Sequence, residues 1–366
     1  MKSYPVACPY IAQIDIRNIV RVLQSGTLSL GPLVQKFEHN LTRYIGSRFG
    51  CAVANGTCGL HLAVRALGLS EGDEVITTPF SFISSSNCLL YERVKPVFVD
   101  IEETTFNMNP MNIDKAITKR TKAILVVHIF GQSADMAPIM RIAKKYNLRI
   151  IEDACESLGA TYKGKRTGTF GDIGVFAFYP NKQMTTGEGG MIVTNSKKLF
   201  QLCNSLRNQG RGIDNDWLTH ERLGYNYRMD EMSASLGVTQ LSKLDWMIEK
   251  KREIADWYNE YLKDIPMITT PKVGILRTHT WFVYVVRIAC GRRNAVMEAL
   301  KKKGIQTKPY LPVIHLQPFM KKMFEFKKGD FPIAERIASE TLALPLYIGM
   351  NKKDVQYICS QLKKIL

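Results

Sequence analysis

The sequence predicts an α/β protein: a large domain built on a mostly parallel seven-stranded sheet, followed by a smaller C-terminal α+β domain. Three observations carry this. Short apolar runs alternate with helix-period segments from about residue 49 to 195. Several of those runs are Val/Ile-rich on both faces, as strands covered by helices on two sides are. After Leu236 the alternation stops and longer helical patterns take over.

The strands are expected at Gly50–Ala54, Glu74–Thr78, Pro96–Asp100, Ala123–His128, Arg149–Asp153, Gly174–Phe178 and Gly190–Thr194. Between them, Gly59–Leu69 and Met136–Tyr146 have helical length and spacing. Further on, Leu241–Leu262 reads as one long amphipathic helix, and Pro266 and Pro271 mark loops. Thr280–Val286 has the β-branched and aromatic texture of a strand, Arg293–Lys303 reads as a helix, and a last helix starts near Lys353. The domain boundary falls near residue 240, giving units 1–240 and 241–366. No internal repeat or low-complexity tract interrupts them.

At 366 residues the chain can bury a large core and form two domains. Its first residues lack the apolar centre of a secretory signal, and no apolar run approaches the ~20 residues that span a bilayer. The eight cysteines are scattered without a CxxC pair and read as reduced core residues of a cytoplasmic protein. Net charge is +17, and residues 241–366 contribute +11 of it, with 23 Lys+Arg against 12 Asp+Glu. Such an excess is either a solvated lysine-rich face or an attraction for phosphate-bearing partners. Without a nucleic-acid motif or an apolar span, neither nucleic acid nor membrane is an expected partner.

Ligands in sheets of this kind bind at the carboxyl ends of the strands. Three segments meet there. Asn55-Gly56-Thr57-Cys58 reads as a turn into a helix, whose free backbone N–H groups at Thr57 and Cys58 suit a phosphate. Thr77–Asn87 follows another strand, and an aromatic there could lie flat on a heteroaromatic ring, although aromatics after strands are usually core. Asp153 ends a strand, either as a helix N-cap before Ala154–Leu158 or as an acid that keeps a ring nitrogen protonated. Lys182 sits in a Gly/Thr loop directly after a buried strand, which sets it apart from a surface lysine. An amine that can condense with a carbonyl, together with such an acid, is what pyridoxal phosphate chemistry requires. The histidines show no metal-ligand spacing, so no metal site is expected. A GxSxG elbow and a GxxxxGK[ST] loop are both absent.

Taken together, these segments resemble the DegT/DnrJ/EryC1/StrS family of sugar aminotransferases across nearly the whole chain. The resemblance rests on Gly31-Pro32 with Phe37-Glu38, Asn55-Gly56-Thr57, Glu152-Asp153-Ala154, Gly171-Asp172, Lys182 with Thr185 to Gly190, Gly224 to Arg228, and Leu344-Pro345-Leu346-Tyr347. It implies the fold-type I aminotransferase architecture, pyridoxal 5'-phosphate as cofactor, and a homodimer with shared active sites. It also implies catalytic roles for Lys182, which bonds to the cofactor and moves protons, and for Asp153 at the ring nitrogen. Phe82 matches the stacked aromatic. Gly56, Thr57 and Cys58 match the phosphate turn, and Asn226 a residue that reaches the phosphate from the neighbouring subunit. Arg228, Tyr310 and His315 are the candidate substrate contacts.

Two residues depart from the family pattern. Ala177 stands where many members have a phosphate-binding Ser. Glu156 stands where Gln or His is common beside the ring oxygen, so it is expected to be protonated or turned toward the sugar. This Glu resembles members that act on GDP-4-keto-6-deoxymannose. The implied reaction moves an amino group from L-glutamate to a nucleotide-linked keto-deoxysugar. The alternatives are a cyclitol or aminobenzoate precursor as acceptor, a non-catalytic cofactor-binding regulator, and a basic α/β binding protein without cofactor. Family members with His in place of the lysine are dehydratases, an activity that Lys182 argues against.

Overall fold

The computed structural model describes residues 2–212 and 219–366. Its main sheet is formed by β1 (Phe49–Val53), β2 (Glu74–Thr77), β3 (Lys95–Phe98), β4 (Thr121–Val127), β5 (Arg149–Asp153), β8 (Ile173–Ala177) and β9 (Gly190–Thr194). A small hairpin, β6 (Thr161–Tyr162) and β7 (Lys165–Arg166), interrupts the series. The strand order is β1-β9-β8-β5-β4-β2-β3. β9 runs antiparallel to both its neighbours, and the other adjacent pairs are parallel. All seven expected strands are present, with bounds shifted by at most two residues. Their near-continuous burial matches a sheet covered on both faces.

The helices of this first unit are α1 (Gln13–Ser25), α2 (Pro32–Ile45), α3 (Gly56–Ala66), α4 (Ser84–Leu90), α5 (Ile113–Ala116), α6 (Met136–Lys145), α7 (Lys197–Arg207) and α8 (Glu231–Leu241). α2 starts with Pro32 at its first turn, where a missing N–H costs nothing. Its open amides at Leu33 and Val34 donate to the buried Glu231 carboxylate of α8, at 2.8 and 3.0 Å. The two helices then pack so closely that a Cβ on Gly237 would meet the Phe37 ring at 2.8 Å.

Beyond α8 the structure departs from the expected single helix over Leu241–Leu262. The chain breaks at Ser242-Lys243, and α9 begins at Leu244 and runs to Leu262. The buried Asp15 carboxylate gathers Thr239, Gln240 and Lys243 at this break and fixes the bend. A second antiparallel sheet follows, in the order β10 (Ile268–Thr269), β11 (Tyr284–Ile288), β12 (Thr341–Leu344). α9, α10 (Arg293–Lys301) and α13 (Lys352–Ile365) pack on it around Tyr258, Tyr284, Leu342, Ile358 and Leu362. Tyr4, from the chain's first residues, joins this second core. α11 (Pro318–Phe324) and α12 (Pro332–Glu340) lie between β11 and β12 in the chain. Among the described residues, no helix is long and apolar enough to cross a membrane.

β11 starts four residues later than the expected strand from Thr280, a shift with a clear cause. The Thr280 amide is drawn to the Gly131 carbonyl at 2.8 Å, and Trp281 adopts φ +50°, which no strand ladder accepts. His279 completes this kink: it is buried, and its Nδ1 accepts the Trp281 amide at 2.9 Å.

Burial pushes the His279 pKa down to about 3 from its ordinary 6.5. Between those values the unfolded chain binds the proton and the folded chain does not, so stability falls as the pH falls. By pH 5 this one group should cost about 2 kcal/mol. Urea unfolding at pH 7 and pH 5 should show that loss in the parent, and a smaller one in His279→Asn, whose oxygen can accept the same amide.

Candidate active site

Asp153 closes β5 at the carboxyl edge of the sheet and is buried. Its Oδ2 accepts the Ser85 hydroxyl at 2.7 Å, and its Oδ1 accepts the Cys155 amide at 3.2 Å. Ser85 belongs to α4 and is itself bonded to Ser81 at 2.7 Å. No helix forms over 154–158, so Asp153 is not a helix cap. Among the described residues it has no cationic partner within 4.0 Å, so it is a carboxylate without a counter-charge. The Asp153 main-chain oxygen in turn takes the His128 amide at 3.0 Å.

The turn into α3 lies beside it. Asn55 is the N-cap, and its side chain accepts the Cys58 amide at 2.9 Å. This corrects one expectation: the Cys58 N–H is already taken by the cap, and the amides without a partner among the described residues are those of Gly56 and Thr57. The Thr57 hydroxyl sits 2.7 Å from that of Ser84. Gly56 is required by contact. A Cβ there would come within 2.7 Å of the Ala177 Cβ and 3.1 Å of the Cys155 sulfur. The methyl of Ala177 thus fills the wall of the turn.

Lys182 lies in the loop after β8, its amide held by the Tyr179 carbonyl at 2.9 Å. Its Nζ is 3.7 Å from Oε1 of Glu156 and 4.3 Å from the centre of the Phe282 ring. Glu156 is buried, and its other oxygen accepts the Phe130 amide at 2.9 Å. Burial pushes its carboxyl above the ordinary range; the Lys182 charge is the main opposing influence. Glu156 is therefore turned to the lysine. Cys155 places these groups together: burial drives its thiol well up, Asp153 adds to that, and Lys182 opposes it.

Tyr310 packs edge-on against Phe130 and Phe282, with ring centres 5.8 and 6.1 Å away, and accepts the Asn181 amide at 3.4 Å. Phe82 is 59% exposed. Asn226 is exposed on a segment bridged to Asn208. Two residues on, Arg228 bridges to Val53 and donates to the Asn208 side chain at 2.9 Å. Burial and the neighbouring Arg211 and Arg207 lower the Arg228 pKa, as expected of a cation among cations.

His315 does not fit its expected place. It is fully buried, with Nε2 3.0 Å from Glu335, and it is packed against Phe326 and Phe331. The short 3-10 turn Ile314–Leu316 turns it inward, so it presents no atom to a substrate. Sequence reasoning also missed three groups. Gln183 donates to Thr280 at 2.9 Å, His128 pairs with Glu152 at 2.9 Å, and Lys251 is buried and lines a pocket with Lys182. The first two are contacts between distant segments with no local signature; only the apolar setting of Lys251 within α9 hinted at its burial. Among the described residues, no group of three or more His, Cys, Asp or Glu could hold a metal ion.

These residues fit pyridoxal phosphate, the cofactor the resemblance implies. An amine, a carboxylate without a counter-cation and a helix start with two free amides face one place, and Gly56 leaves the close approach open. Placing a methyl at that glycine should force the turn away from β8. Gly56→Ala is expected to bind the cofactor about tenfold more weakly, read by absorbance titration of the purified chain.

Comparison with known proteins agrees with this geometry. The family profile described as the DegT/DnrJ/EryC1/StrS aminotransferase family matches residues 9–363. The GDP-perosamine synthase of Escherichia coli O157:H7 is 37% identical, over 100% of this chain and 99% of that protein. The dTDP-3-amino-3,6-dideoxy-alpha-D-galactopyranose transaminase of Aneurinibacillus thermoaerophilus is 39% identical, over 92% of this chain and 91% of that protein. Among solved structures, Helicobacter pylori PseC, an aminotransferase involved in the biosynthesis of pseudoaminic acid, superposes with a TM-score of 0.95. Its identity is 27%, over 100% of this chain and 99% of that one. The chain belongs to the DegT/DnrJ/EryC1/StrS family and is a sugar aminotransferase.

Proposed function

We propose that this enzyme uses pyridoxal phosphate to move an amino group from L-glutamate to the ketone of a nucleotide-linked 4-keto-6-deoxyhexose. The observation that carries the reading is the convergence of Lys182, Asp153 and the α3 turn on one place. When bound, the cofactor supplies an electron sink for the carbanion left after proton removal. Lys182 Nζ would hold the cofactor covalently; displaced by the donor's amine, the freed Nζ would take the proton from the donor's Cα and return it in the amination direction. Asp153, steadied by Ser85 and the Cys155 amide, keeps a proton on the ring nitrogen. The Gly56 and Thr57 amides hold the phosphate. Phe82 covers the ring, and Glu156 faces Lys182 from the side where the sugar enters.

The nucleotide diphosphate meets Arg228, and Tyr310 lines the sugar side. Asn226 reaches the site of a second copy. A homodimer accounts for α1, which buries only Asp15 and Val22 in the single chain while Ile14, Ile16, Val20 and Leu23 stay exposed, as do nearby Leu28 and Leu30. All eight cysteines are unpaired, which suits a reducing cytoplasm. The perosamine-type relative and Glu156 together favour a GDP-linked 4-ketone over a dTDP-linked 3-ketone. Surface polysaccharide sugars are the destination in keeping with that choice.

The holoenzyme should be incubated with glutamate and GDP-4-keto-6-deoxymannose, dTDP-linked keto-sugars or keto-inositol, and the products identified by mass and NMR. The GDP-linked 4-amine is expected to form fastest, and Lys182→Arg should lower its rate by about 10³-fold. Faster amination of keto-inositol would overturn the substrate assignment. An arginine variant as fast as the parent would overturn the chemistry.

A further inference from the structure

The start of α4 touches both ends of the candidate site. Ser84 Oγ lies 2.7 Å from the Thr57 hydroxyl at the α3 turn. Ser85, the next residue, donates its hydroxyl to Asp153 Oδ2 at 2.7 Å. Behind it stands Ser81, with its Oγ 2.7 Å from that of Ser85. Ser81, Ser85 and Asp153 are all buried. A serine hydroxyl carries a single proton. Ser85 gives its own to Asp153, so the bond between the two serines must run from Ser81 to Ser85. The chain therefore has one direction, from Ser81 through Ser85 to Oδ2. The Cys155 amide holds the other carboxylate oxygen at 3.2 Å. With one donor each among the described residues, both oxygens keep a lone pair for a further N–H.

We propose that Ser81 and Ser85 are positioning residues for transamination: their one-way hydroxyl chain fixes the plane of the Asp153 carboxylate toward the cofactor's ring nitrogen. The inference rests on reading Asp153 as the partner of that nitrogen. The last torsion of an aspartate is broad and two-fold, so its rotamer alone does not set the plane of the carboxylate. Two donors on opposite oxygens do set it. Truncating Ser85 removes one of them and lets the plane turn about the Cys155 contact that remains. Truncating Ser81 keeps the Ser85 donor but frees its hydroxyl to rotate, a milder loss. Ser84 provides the contrast, because its partner Thr57 lies at the phosphate end.

The test compares two cofactors on the full-length chain: pyridoxal 5'-phosphate and its 1-deaza analogue, in which carbon replaces the ring nitrogen. Both keep the aldehyde and the phosphate, so only the first can meet Asp153 through an N–H. Absorbance titration gives the two dissociation constants, and the parent should favour pyridoxal phosphate. Ser85→Ala should weaken pyridoxal phosphate about tenfold and change the analogue by no more than about twofold. Ser81→Ala should show the same selectivity with a loss of about threefold. Ser84→Ala should weaken both cofactors alike. Equal losses for both cofactors in Ser85→Ala, or no loss for pyridoxal phosphate in that folded variant, overturn the proposal. A Ser84→Ala loss as selective as that of Ser85→Ala also overturns it. Should Ser85→Ala not fold, an unselective or absent loss in Ser81→Ala overturns it instead. A parent chain that binds neither cofactor, or both alike, would overturn the reading of Asp153 itself and this inference with it.

Discussion

The site depends on the last two residues of β5 pointing to opposite faces of the sheet. Asp153 faces the site, and Glu152 faces away into a fully buried cluster. The Glu152 carboxylate accepts four donors: His128 Nε2 at 2.9 Å and the amides of Gly168, Phe170 and Gly171 at 2.7, 2.6 and 2.7 Å. His128 is fixed as a donor at Nε2 because its Nδ1 accepts the Ala134 amide at 3.0 Å. Only an acceptor without N–H groups can take four donors, so glutamine cannot stand in for this glutamate. The cluster ties the strand ends of β4, β5 and β8 together, and Asp153 inherits its position from that tie.

The fold was legible because its signals are local. Each main-sheet strand is a short Val/Ile-rich run bounded by loops, and its type does not depend on its partner. What the sequence could not carry is partner choice. That β9 inserts antiparallel between β1 and β8 follows from pairings such as Val53 with Gly190, set in three dimensions. The break between α8 and α9 is made by Asp15, more than two hundred residues away in the chain. The late start of β11 is made by Gly131.

At the site the same division holds. Lys182, Asp153 and Gly56 stand in recognisable local settings, and each occupies the strand-end position read for it. Cys58 was misread because a helix start looks open until its cap is seen to reach the third amide. His315 was misread because a loop residue near an expected substrate path can still turn inward when aromatic neighbours enclose it. Lys251 carries no motif at all; beyond the apolar residues one turn to either side of it in α9, only packing shows that it is buried.

These features describe one lysine beside the buried Glu156 carboxyl, with Asp153 close by. The most direct measurement is to load the chain with pyridoxal phosphate, reduce it with borohydride, digest it and locate the added mass. The phosphopyridoxyl group should be found on the peptide containing Lys182. Finding it on Lys251 or another lysine, or finding no added mass, would contradict the central claim.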